Sequence, residues 1–113
     1  MVICVEKVYN KLVRDKVPEI ISANGEIPIT RVLETDEYKK FLEMKLFEEY
    51  KEVIEASGKD RLEELADLIE VIRALAVLEN SSFEEVVEIA SVKRDRRGGF
   101  EKRFVLEEVL ETE

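Results

Sequence analysis

FEEYKEVIEASGKDRLEELADLIEVIRALAVL, residues 47–78, reads as the end of one helix, a short break and a second helix. Ser57-Gly58 supplies the break between two runs rich in Glu, Lys, Leu and Ala. The spacing predicts an upstream helix over 36–57, which Asp36 can cap. A downstream helix is predicted over 60–79, where Asp60 and Glu63 have the separation of a capping arrangement.

Helical geometry then decides which acids matter. Each residue turns the helix by about 100°. With Glu63 set at zero, Leu68, Val71, Leu75 and Leu78 fall in one apolar arc. Leu65, Ile69, Ile72 and Ala76 extend that arc further round, and Glu63, Glu70 and Arg73 mark the polar side. Glu64 falls inside the apolar arc, and Asp67 at its edge. On the preceding helix, Leu42, Leu46 and Val53 flank Glu49 on one side and Tyr38 and Phe41 on the other, with Glu52 beside Phe41. Glu49, Glu52, Glu64 and Asp67 are therefore expected to face one seam between two helices.

Two unit charges ~6 Å apart at an effective dielectric of ~20 repel by roughly 3 kcal/mol. Four inward carboxylates need relief: protonation, pairing with Lys or Arg, or a bound cation. Hard oxygen ligands on rigid helices suit Mg²⁺ or Mn²⁺. The plainer reading is that these are solvated acids in a chain that has 27 Asp and Glu. Two spaced pairs on consecutive helices, all facing inward, favour the site.

Outward from the centre, residues 8–25 contain YNKLVRDKVPEIISANG, where Pro18 suits a first helical turn and Asn24-Gly25 its end. Residues 27–33, IPITRVL, are rich in β-formers, and a short strand is expected at 28–33. Ser82 and Glu85 have the spacing of a capping box for a fourth helix over 83–96, which Gly98-Gly99 ends. The FEKRFV stretch alternates, and a second short strand at 101–106 is expected to pair with the first. The fold class is thus mainly α, a helical bundle with a short β-hairpin, in a single domain spanning 1–113.

Composition narrows the chemistry. The chain has 113 residues, enough for a core without staples, no histidine and one cysteine, Cys4. Histidine triads and Cys/His zinc sites are excluded. A lone thiol fits a reducing cytoplasm and is most simply a small buried apolar residue. The opening MVICVEKVYN reads as a structural element, without the basic start or cleavage site of a signal peptide. No apolar run reaches the ~18 residues of a membrane span. A net charge of −9 argues against nucleic-acid binding. High Glu, Lys and Arg with few Gly and Pro points to a thermophilic source.

EEYKE (Glu48–Glu52) followed by ELAD (Glu64–Asp67) resembles the EExxE…ExxD signature of the all-α NTP pyrophosphatases. That superfamily includes MazG, the dimeric dUTPases and phosphoribosyl-ATP pyrophosphohydrolase. YNKLVRDKVPEII and KRDRRGGF extend the resemblance to a phosphoribosyl-ATP pyrophosphohydrolase-like branch, over nearly the whole chain. The resemblance implies that Glu49, Glu52, Glu64 and Asp67 ligate Mg²⁺. It implies hydrolysis of a nucleoside triphosphate substrate to monophosphate and pyrophosphate. Glu48 or Glu49 would orient the attacking water or take its proton, and for Glu48 the alternative is a surface acid paired with Lys51 or Lys45.

Lys93, Arg96 and Arg97, ahead of Gly98-Gly99, and Lys11 and Arg14, near the start, are candidate phosphate ligands. Their alternatives are helix-end cations and surface ion pairs. Tyr38, Phe41, Phe47, Tyr50 and Phe83 are expected in the core rather than stacked on a base. The GGF segment is not a phosphate-binding Walker loop, because no helix with a GK[ST] start follows it. Competing readings are phosphoribosyl-ATP hydrolysis on the same metal chemistry and a non-catalytic helical oligomerisation or regulatory module. The wide apolar arc on residues 60–79 predicts a homodimer or higher homo-oligomer, and phosphate-binding cations of one chain could serve the acids of the other.

Overall fold

Two long helices and a short link between them form the centre of the molecule. The computed structural model describes residues 8–112, so Cys4 and the rest of residues 1–7 lie outside the described residues. Four helices follow in order: α1 (Val17–Ala23), α2 (Thr35–Glu55), α3 (Gly58–Leu78) and α4 (Phe83–Arg97). The fold is a mainly α helical bundle in which α3 packs against both α2 and α4. No helix among the described residues is long and apolar enough to cross a membrane.

The link consists of Ala56 and Ser57, both extended, at φ −93°, ψ 160° and φ −145°, ψ 161°. Two extended residues between packed helices turn the chain back on itself, so α2 and α3 form an antiparallel hairpin. Gly58, at φ +59°, takes the left-handed conformation that lets α3 start at once.

Helix starts differ from expectation by one or two residues. Asp36 lies inside the first turn of α2, which begins after Glu34, and Asp60 lies inside the first turn of α3, which begins after Ser57. Neither cap residue makes a side-chain capping bond. Both aspartates instead place negative charge near the positive end of a helix dipole. Ser82 caps α4 as expected, its hydroxyl accepting from the Glu85 backbone N–H at 3.1 Å. The Glu85 carboxylate takes the hydroxyl of Ser81 rather than completing a capping box.

The expected β-hairpin does not form. Residues 28–33 and 101–106 make no strand, and Ile29, Val32, Phe104 and Val105 are almost fully exposed. A strand exists only through the backbone bonds of a partner, and these two segments do not pair. Pro28 also lacks a donor.

The core of a single chain is small, against expectation. Among the described residues, the buried apolar side chains are Leu42 on α2 and Val71 and Ala76 on α3. The radius of gyration is 19.9 Å and the long axis 81 Å, whereas a compact chain of this length would have a radius near about 13 Å. Leu65 and Ile69, on the second half of α3's apolar arc, are about 40% exposed at 38% and 41%. Valines and isoleucine along α4, and the apolar residues of the tail, also stand open.

Candidate metal centre

The antiparallel hairpin sets the level of each acid. Glu49 is seven residues before Ala56, and Glu64 is seven residues after Ser57. With about 1.5 Å of rise per residue on each helix, the two lie at the same height on facing helices. Glu52 and Asp67, each three residues on, share their faces. The result is one cluster: carboxylate oxygens of Glu49, Glu52, Glu64 and Asp67 all lie within 4.8 Å of one another. The structure brings all four predicted ligands together.

Glu49 is buried, with 5% of its surface exposed, and the other three are half-buried. The Oε2 atoms of Glu49 and Glu64 are buried without a hydrogen-bond partner among the described residues. A buried acceptor without a donor costs about 1–3 kcal/mol, more when charged. Two of the forms of relief expected from the sequence, protonation and pairing with cationic side chains, have counterparts in the structure. Glu64 is pushed up to about 7, first by a hydrogen bond it can share with Glu52, then by desolvation and by the charges of Glu52, Asp67 and Glu49. Protonation supplies the donor that the ionised cluster lacks. Burial, followed by the charge of Glu52, raises Glu49 above the usual carboxylate range.

Cations supply part of the balance. Lys45 Nζ lies 3.5 Å from Glu49 Oε1 and 3.7 Å from Glu48 Oε2. Lys11 Nζ reaches Glu48 Oε1 at 3.4 Å, and Arg14 Nη2 donates to Asp67 Oδ1 at 2.7 Å. Glu48 thus has Lys45 and Lys11 beside it at the rim of the cluster. Lys45 was not among the predicted site residues; its signal was the four-residue spacing to Glu49, which puts both on one face of α2.

Lys93, Arg96 and Arg97 form no ion pair with the acids among the described residues. Lys93 and Arg96 instead line an open groove on α4 with Glu84, Glu85 and Glu88. Phe47 and Tyr50, expected in the core, are exposed on α2 with ring centroids 6.0 Å apart. Helical phase explains this, since Phe47 is turned by about 160° from Glu49. Tyr38, Phe41 and Phe83 are half-buried. Phe41, Met44 and Phe47 line a cleft of ≈ 400 Å³ that Lys11 and Leu12 close from the other side.

The donor set fits a hard divalent cation: four carboxylates on two rigid helices, two of them with buried oxygens that have no hydrogen-bond partner among the described residues. Fold and site together define a helical hairpin with a cluster of four carboxylates that could hold a metal ion. A protein from Mycolicibacterium smegmatis described as uncharacterized is similar, at 46% identity over 50 residues. The match covers 44% of this chain and 51% of that protein, so the chain spans about half the length of the relative it matches. No protein-family model and no solved structure matches the chain.

Proposed function

We propose that the chain is a Mg²⁺-dependent nucleoside triphosphate pyrophosphohydrolase, cleaving the α–β phosphoanhydride to give nucleoside monophosphate and pyrophosphate. One observation carries the reading: four carboxylates within 4.8 Å, with buried oxygens of Glu49 and Glu64 left without a donor among the described residues. Glu49, Glu52, Glu64 and Asp67 would hold the ion, Mn²⁺ being an alternative. Bound there, a divalent ion supplies charge neutralisation for the phosphates and a more acidic water.

The chain's own residues do the rest. Glu48, at the rim between Lys11 and Lys45, accepts the proton of the attacking water, and Glu49 is the other candidate base. Lys11 and Arg14 lie on the same side and bind the phosphate oxygens, which suit guanidinium and ammonium donors. Lys93, Arg96 and Arg97 contribute from a second copy of the chain. The exposed apolar residues of α3, α4 and the tail support such a homodimer or larger homo-oligomer, because a surface of this kind marks an interface. The single cysteine fits a cytoplasmic setting.

The test is a screen of nucleoside triphosphates with Mg²⁺, run on the wild type and on Glu64→Gln. The variant keeps the shape of the side chain and removes one ligand charge. Turnover is expected in the wild type and not in the variant, with helical content unchanged in both. Full activity in Glu64→Gln would sink the site assignment.

A further inference from the structure

Residues 8–16 run without helix or strand from the first described residue to α1. Two side chains tie this strap to the acidic seam. Arg14 donates to Asp67 at 2.7 Å, and Lys11 reaches Glu48 at 3.4 Å. Asp67 belongs to the four-carboxylate cluster, so Arg14 supplies a positive charge at the edge of the place a metal ion would take. A guanidinium does not lose its proton in a protein. It can make way for another cation only by moving. Arg14 is exposed and Asp67 half-buried, with 57% and 45% of their side chains open to solvent, and a pair this open to solvent is weak enough to exchange.

We infer that the strap is an exchangeable cationic plug that makes the site select a metal–polyphosphate chelate over the free metal. This rests on the metal-site reading above. Free of ligand, Arg14 neutralises Asp67 and opposes a bare divalent ion. When the ion arrives with a polyphosphate, Asp67 turns to the ion, while Arg14 and Lys11 turn to phosphate oxygens, which a planar guanidinium binds in bidentate fashion. Arg14 therefore acts in opposite directions on the two ligands.

The experiment measures Mn²⁺ affinity by electron paramagnetic resonance in the wild type, Arg14→Gln and Arg31→Gln. Arg31 pairs with Glu37 at 2.8 Å, twelve residues and roughly 18 Å along α2 from Glu49. It controls for the loss of one positive charge. Arg14→Gln should bind Mn²⁺ about two- to fivefold more tightly than both other proteins, yet bind Mn²⁺–imidotriphosphate more weakly than the wild type. Equal Mn²⁺ affinity in all three proteins overturns the plug and leaves the metal site standing. No Mn²⁺ binding in any of them overturns both. A second reading needs no variant: trypsin cleavage of the wild type at Lys11 and Arg14 should speed up with Mn²⁺ and slow again with imidotriphosphate. Cleavage indifferent to Mn²⁺ also overturns the proposal.

Discussion

Glu49→Gln separates a metal site from a cluster of ordinary acids. The side chain is buried and Oε2 lacks a partner among the described residues, so the substitution removes a charge at nearly constant shape. Carboxylate oxygens at most 4.8 Å apart repel by about 3.5 kcal/mol per pair of unit charges at an effective dielectric of ~20. Lys45, 3.5 Å from Glu49 Oε1, offsets part of this. Solvent screens the half-exposed neighbours, and partial protonation already relieves some of the repulsion. A net gain of about 1 kcal/mol without metal is expected, raising Tm by ~4–8 °C in a small domain. The new amide can also donate to a neighbouring carboxylate. With Mg²⁺ the order reverses. A ligand at about 100 times its Kd stabilises the native wild type by ~2.7 kcal/mol, which corresponds to about 10 °C or more. Differential scanning calorimetry in EDTA and in Mg²⁺ reads both effects. A Glu49→Gln protein that melts well below the wild type in EDTA and keeps the full Mg²⁺ shift refutes the reasoning.

The raised carboxyls predict an unusual pH dependence. Glu64, at about 7, and Glu49 favour the proton more in the folded chain than in the unfolded one. Their contribution to metal-free stability is complete below the ordinary carboxylate range and is lost as pH rises through about 7. Metal binding needs the deprotonated forms, so the Mg²⁺-induced rise in Tm should grow from about pH 5 to about pH 8; a constant rise would contradict the coupling. Leu42→Ala should cost about 2–5 kcal/mol in urea titrations, because Leu42 is among the few buried side chains. Ser82→Ala should cost about 0.5–2 kcal/mol through the lost cap of α4. Light scattering at low micromolar concentration should give a dimer or larger, and a stable, active monomer would remove the shared site.

The helical hairpin and the convergence of its acids were legible because carboxylates placed inside an apolar arc are a periodic signal. Glu64 among Leu68, Val71 and Leu75 points to the seam whatever lies across it. The caps fall at Glu34 and Ser57 rather than at Asp36 and Asp60 because a cap is defined by the backbone of one residue. At Ser57 the extended φ and ψ start α3 earlier than the aspartate suggests. IPITRVL departs from expectation for a different reason: β-branched residues record a side-chain preference, whereas a strand also needs a partner. The Arg14–Asp67 contact spans 53 positions and depends on the path of an irregular segment, for which the sequence has no periodicity to read. Residue type alone favours the interior for Phe47 and Tyr50, but their phase on α2 puts them outside.

The central claim is most directly tested by the products formed from a nucleoside triphosphate with Mg²⁺. Ion-exchange chromatography and phosphorus NMR should show monophosphate and pyrophosphate appearing together in equal amounts, and neither in the presence of EDTA. Diphosphate with orthophosphate would place the cut at the γ-phosphate, and no turnover of any triphosphate in the presence of Mg²⁺ would contradict the account at its root.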